Sequence, residues 1–136
     1  MRVRIYIAAS LTKRAAANDW KRMFAERDWP TLSTWHETAT ETVDPSNLHV
    51  RGVILQTNMR ELRAASVVFA DTTAGERKPC ATYGEIGYGL ALGLRVLWYQ
   101  PKGEGANIWD AHPFVHIAED HDAVMRTLDN WAREPA

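Results

Sequence analysis

With 136 residues, 46% of them apolar and six of them tryptophan, the chain can bury one substantial core and is too short for two ordinary domains. Sixteen basic against seventeen acidic side chains leave a formal charge of -1, which excludes the global basic field that drives nonspecific binding to nucleic acid. The lone cysteine, Cys80, leaves no partner for an intrachain disulfide and no cysteine-built zinc site, and it fits a reducing, cytoplasmic compartment.

Val3, Ile5 and Ile7 alternate with Arg4 and Tyr6 before the small residues Ala8, Ala9 and Ser10, which predicts a first strand ending in a tight turn. That apolar run is too short for a signal-peptide core or a membrane span. Residues 12–27 space Ala15, Ala16, Trp20, Met23 and Phe24 as one face of an amphipathic helix that Pro30 stops. Residues 31–35 are β-prone and are expected to form a second strand, followed by a polar surface loop over 36–44. Pro45 and Ser46 open a second helix to about residue 65, in which Leu48, Leu55, Met59 and Leu62 predict a buried stripe that also carries Asn58. The continuous run Val67, Val68, Phe69 predicts a strand covered on both faces and ending in Asp71.

A loop over 72–79 leads to a helix over 81–92 closed by Gly93, then to a strand over 95–99 and a loop with Pro101, Gly103 and Gly105. Residues 107–111 are expected to form a helical turn, 114–117 a last strand, and 121–131 a final helix with Val124, Leu128 and Trp131 inward. This alternation predicts a single-domain α/β fold, a flavodoxin-like or Rossmann-like three-layer sandwich on a five-stranded parallel sheet in the order 2-1-3-4-5. A ligand then binds beyond the carboxyl ends of strands one and three, where residues 6–14, 71–85 and 101–107 should converge.

The helix over 81–92 is the most informative segment, because Glu85 is a lone carboxylate among glycines and apolar residues. Gly84, Gly87, Gly89 and Gly93 each cost about 1 kcal/mol of helix propensity relative to alanine, so close approach of a ligand or of backbone should offset them. Glu85 is then either a site carboxylate or an acid favoured by the helix dipole. Asp71 stands at a strand's carboxyl end, as an acid of the pocket or as a cap in its loop.

Four segments carry a resemblance to the nucleoside 2-deoxyribosyltransferase-like superfamily, which includes 2'-deoxynucleoside 5'-monophosphate N-hydrolases. They are Val-Arg-Ile-Tyr-Ile-Ala-Ala-Ser from Val3, the stretch from Asn58 to Asp71, Tyr83-Gly-Glu-Ile-Gly-Tyr-Gly-Leu-Ala-Leu-Gly, and Asn107-Ile-Trp with Pro113-Phe-Val. The resemblance implies that Glu85 is a nucleophile toward the anomeric carbon of a nucleoside or nucleotide, that Tyr6 holds it in position, and that Asn107 is lent to a neighbouring subunit's pocket in a homodimer or larger assembly. Ala8, Ser10 and Gly84 fall in the implied substrate pocket, and Trp35, with His36 and Trp109, offers rings to stack on a base.

Two departures stand out. Asn58 replaces the family's aspartate and has no ionisable proton, so either catalysis is weakened, or another acid takes over, with Asp71 the candidate, or the chain is a silent binding module. The residues 75–80 replace the acidic base-contacting loop of the transferases, and Ala8-Ala9-Ser10 replaces the glycine-rich first loop of the monophosphate hydrolases. Phosphate, if present on the substrate, would have to be met by Ser10 with Lys13 or Arg14, or by Arg77 with Lys78. No cofactor, metal or nucleic-acid partner is expected. A flavin-binding or response-regulator role is disfavoured because strand one ends in neither an acidic pair nor a phosphate loop.

Overall fold

The computed structural model describes residues 1–37, 46–73, 80–101 and 108–136. Its strands are β1 (Ile5–Ala9), β2 (Val67–Asp71), β3 (Arg95–Tyr99) and β4 (Val115–Ala118), all parallel and in the order β1-β2-β3-β4. The helices are α1 (Arg14–Ala25), α2 (Leu48–Ala64), α3 (Cys80–Ala91) and α4 (His121–Ala132). Strands alternate with helices as the sequence demands, and the outcome is an α/β fold with a parallel sheet, consistent with the flavodoxin-like class.

The described residues form four strands where five were expected; β1-β2-β3-β4 follow one another as strands one, three, four and five of the expected order, and the place of a second strand beside β1 is not filled by one. Residues 31–35 run beside β1 but share only the bridge between Ile5 and Thr31. Backbone bonds from Ile5 N to Pro30 O at 2.9 Å and from Leu32 N to Ile5 O at 2.7 Å begin a ladder. Side chains then take it over, because Ile7 N donates to Ser33 Oγ at 3.0 Å and Trp35 Nε1 donates to Ile7 O at 2.7 Å. The free edge of β1 is thus satisfied by a serine and a tryptophan instead of by a strand.

Strand alternation divides the sheet into two faces. Ile7, Phe69 and Tyr99 point toward α1 and α4, where Trp20, Phe24 and His121 form an aromatic cluster with ring centroids 4.3 to 5.8 Å apart. Tyr6, Val68 and Trp98 point the other way, toward α3. On that side Gly89 earns its place by contact: a Cβ there would sit 2.6 Å from Val68 Cγ2, so only glycine lets α3 lie this close to β2. Gly93 closes the helix at φ 78°, while nothing lies within 4 Å of where a Cβ on Gly84 would be. Close backbone packing therefore accounts for Gly89 and not for Gly84.

Helix α2 starts on an Asn47 cap, whose side chain accepts from Val50 N at 3.1 Å. Its expected stripe is buried only at the far end. Leu62 is in the core, Met59 is half-buried, and Leu55 and Leu48 are 59% and 76% exposed. A 17-residue helix outruns strands of five residues, so its first turns have no sheet beneath them. In α4, Val124 and Leu128 are buried as expected and Trp131 is half-buried, with Arg95 over its ring.

Candidate active site

Parallel register aligns Ala9, Asp71 and Tyr99 at one edge of the sheet, the edge from which the chain leaves each strand toward a ligand site. Tyr6, the second residue of β1 and three before its end, is fully buried on the α3 face, and its hydroxyl donates to Glu85 Oε2. The carboxyl of Glu85 is enclosed although the residue as a whole is half-buried. This enclosure pushes its pKa up from 4.5 to about 7; the Tyr6 hydrogen bond opposes the rise, and the charge of Glu61 adds to it. Tyr6 is displaced further upward, first by burial and then by the adjacent Glu85, so it keeps its proton and remains a donor.

The other candidate residues are placed differently. Ala8 lies on the Tyr6 face of β1 and is buried. Ser10 caps the short turn over Leu11–Lys13, accepting from Thr12 N at 3.3 Å. Gly84 stands exposed beside Glu85. Asn58 is half-buried on α2.

Asp71 has the opposite parity on β2 from Val68 and Ala70, and its carboxylate serves the α1 side, accepting from Trp20 Nε1 at 3.3 Å and from Thr73 N and Oγ1 at 3.0 and 2.6 Å. The structure therefore does not bring Asp71 to the Tyr6–Glu85 pair, and gives it the capping role that the sequence left open. Trp35 is buried with its indole N–H on Ile7 O, so it offers no free ring face for a base. His36 is buried as well, between Ser33 Oγ at 2.9 Å and Asn18 Oδ1 at 2.8 Å, and burial foremost, then the charge of Lys21, lowers its pKa to about 4. Of the three rings, Trp109 alone is substantially exposed, at 41%, and it lies against Gly87. Asn107, Arg77, Lys78 and the loops over 74–79 and 102–107 lie outside the described residues.

Sequence reading passes over Glu61. It projects from α2 one turn beyond Asn58, and Thr34 holds it with N–H to Oε2 at 3.0 Å and Oγ1 to Oε1 at 2.6 Å. The one signal available was its helical spacing of three from Asn58. Thr82, one turn before Glu85 and fully buried, is also unanticipated: its hydroxyl has no hydrogen-bond partner among the described residues. No group of three or more His, Cys, Asp or Glu among the described residues is placed to hold a metal ion, and none of their helices is long and apolar enough to cross a membrane.

Fold and site together define a parallel α/β domain with a tyrosine-held carboxylate between β1 and α3. The sequence matches no protein-family model and no curated protein. Solved structures do share its fold. A 2-deoxyribosyltransferase from Bacillus psychrosaccharolyticus superposes with a TM-score of 0.70 at 17% identity, over 98% of this chain and 93% of that one. A 2-deoxyribosyltransferase from Leishmania mexicana gives 0.63 at 19% identity over 94% and 97%, and the Clostridium botulinum CMP N-glycosidase BcmB gives 0.61 at 17% over 93% and 98%. At these identities the likeness establishes a common fold across nearly the whole length of each chain.

Proposed function

We propose that this protein cleaves or transfers the N-glycosidic bond of a nucleoside or its 5'-monophosphate, with Glu85 as nucleophile. The observation that carries the reading is the partly buried hydrogen bond from Tyr6 to Glu85. It fixes one carboxylate oxygen and leaves the other for attack, and the fold shared with 2-deoxyribosyltransferases and a CMP N-glycosidase supports the same chemistry. In the first step a Glu85 oxygen bonds to the anomeric carbon while the electrons of the C–N bond leave with the base, which takes up a proton. In the second step water, or a nitrogen of a second base, displaces Glu85, and two inversions give overall retention. With a pKa of about 7, Glu85 is substantially ionised at neutral pH, and its charge faces an oxocarbenium-like transition state in an enclosed site where such attraction is strong.

Two features bear on the wider assembly. Leu48 and Leu55 expose apolar surface on α2, which supports a homo-oligomer in which a second copy lends Asn107 to the pocket. The lone cysteine supports a cytoplasmic location. A second reading, a nucleotide-binding module without turnover, is favoured by Asn58, whose amide cannot supply a proton to the departing base.

The test is chromatographic detection of free base from deoxynucleosides, ribonucleosides and their 5'-monophosphates, with and without an acceptor base, beside Glu85→Ala. Release that is lost in the variant supports the glycosidic reading, and new nucleoside formed only with acceptor makes the protein a transferase. Saturable binding without release from any substrate would replace it with the silent module.

A further inference from the structure

A glutamate on a surface helix ordinarily keeps its rotamer freedom, and Glu61 does not. Thr34 grips both of its oxygens, with N–H to Oε2 at 3.0 Å and the hydroxyl at 2.6 and 3.3 Å from Oε1 and Oε2. The segment bearing Thr34 is itself fastened to β1 on both sides of that residue, through Ser33 to Ile7 N at 3.0 Å and Trp35 to Ile7 O at 2.7 Å. His36, next in line, is pinned to α1, where its carbonyl accepts from Arg14 Nε at 3.0 Å and Asn18 Nδ2 at 2.9 Å. The carboxylate is therefore fixed in place from β1, and it stands close enough to the Tyr6–Glu85 pair for its charge to be felt by both. A carboxylate has about four acceptor positions, and Thr34 supplies only two donors, so acceptor capacity remains on Glu61.

Stereochemistry says what meets it. In a β-nucleoside the base occupies one face of the sugar and in-line attack comes from the other, so the neighbours of the nucleophile face the sugar and not the base. The 3'-hydroxyl lies on that attacked face in ribosides and 2'-deoxyribosides alike, two ring atoms from the anomeric carbon. A second carboxylate held on this side of the site, with acceptor capacity to spare, is suited to that hydroxyl.

Building on the glycosidic reading above, we propose that Glu61, clamped by Thr34, is a substrate-binding residue that accepts a hydrogen bond from the sugar's 3'-hydroxyl and makes that hydroxyl a specificity determinant. The relocation of an acid one turn along α2 from Asn58 then gives the site a second carboxylate without restoring the missing one.

The experiment compares kcat/KM for base release by wild type, Glu61→Gln and Thr34→Val on paired 2'-deoxy and 3'-deoxy nucleosides and their 5'-monophosphates, in an adenine and a cytosine series. Glu61→Gln is expected to lose about 10- to 100-fold on substrates carrying the 3'-hydroxyl and to stay within about threefold of wild type on 3'-deoxy substrates. Thr34→Val, which leaves the carboxylate but loosens it, is expected to show a smaller loss with the same dependence on the sugar, and it carries the test if Glu61→Gln does not fold. An active wild type whose variants lose equally on both sugars, or not at all, overturns the assignment of Glu61 and leaves Glu85 untouched. A wild type that releases no base from any of these substrates overturns the glycosidic reading instead, and this proposal with it.

Discussion

The two faces of the sheet are built from alternate residues of the same strands and do different work. Toward α1 and α4, Phe69 and Tyr99 meet Trp20, Phe24 and His121 in an aromatic packing, and even Asp71 is spent on Trp20 and Thr73. Toward α2 and α3, from the neighbouring residue of β1, Tyr6 and Glu85 place a partly buried hydrogen bond and a destabilised carboxylate where Gly84 leaves open space. The lesson is that parity alone separates packing from chemistry here: a shift of one residue in β1 would exchange Tyr6 for Ile7 and abolish the site.

The comparison is sharpened most by Glu85→Gln. Base release is expected to fall by at least about a thousandfold, as when a nucleophile is removed. Stability should move the other way. Because the folded protein holds the Glu85 proton up to about 7 against 4.5 for a free side chain, the unfolded chain ionises first, and wild-type stability declines as pH rises through that interval. Thermal melts at pH 8 should show the variant at or above wild type, and a loss of stability there would mean that Glu85 is structural.

On the opposite face, Phe24→Ala is expected to cost about 3–5 kcal/mol in denaturant titrations, since it removes a fully buried ring that stacks on Trp20 and meets Phe69 edge-on. A cost below about 1 kcal/mol would show that the aromatic cluster is loosely packed. Gly89→Ala should cost less, about 1–3 kcal/mol, because Val68 is β-branched, buried in a central strand and unable to swing away from a new methyl group. A stabilised variant would contradict the close approach of α3 to β2. The last effect belongs to the edge of β1 and shows only under acid conditions. Burial holds His36 neutral down to about pH 4, while the unfolded chain takes its proton near 6.5, so stability should fall as pH drops from 6.5 to about 4 and then level off. The difference between wild type and His36→Gln across that range isolates the histidine.

Much of this was legible in the sequence because it rests on periodicity. The uninterrupted Val67, Val68, Phe69 run marked a strand covered on both faces, and the isolation of Glu85 among glycines marked the segment that meets Tyr6. What failed did so for physical reasons. Residues 31–35 have strand propensity, but Ser33 and Trp35 replace the backbone ladder with side-chain bonds that no propensity encodes. The stripe Leu48, Leu55, Met59, Leu62 has helical spacing along its whole length, and spacing does not report that the sheet beneath it ends. Asp71 was at the right end of its strand and on the wrong face, and Trp35 had the right ring in a position that buries it. Glu61 looked like one more charge on a helix because its distinction is the grip of Thr34, 27 residues away.

The central claim is a covalent bond between Glu85 and the anomeric carbon. Intact-mass and peptide spectrometry on protein quenched in acid during turnover tests it most directly. The account predicts a sugar adduct on the peptide containing Glu85, absent from Glu85→Gln. Steady release of base with no adduct on that peptide, or an adduct that persists in the variant, would contradict it.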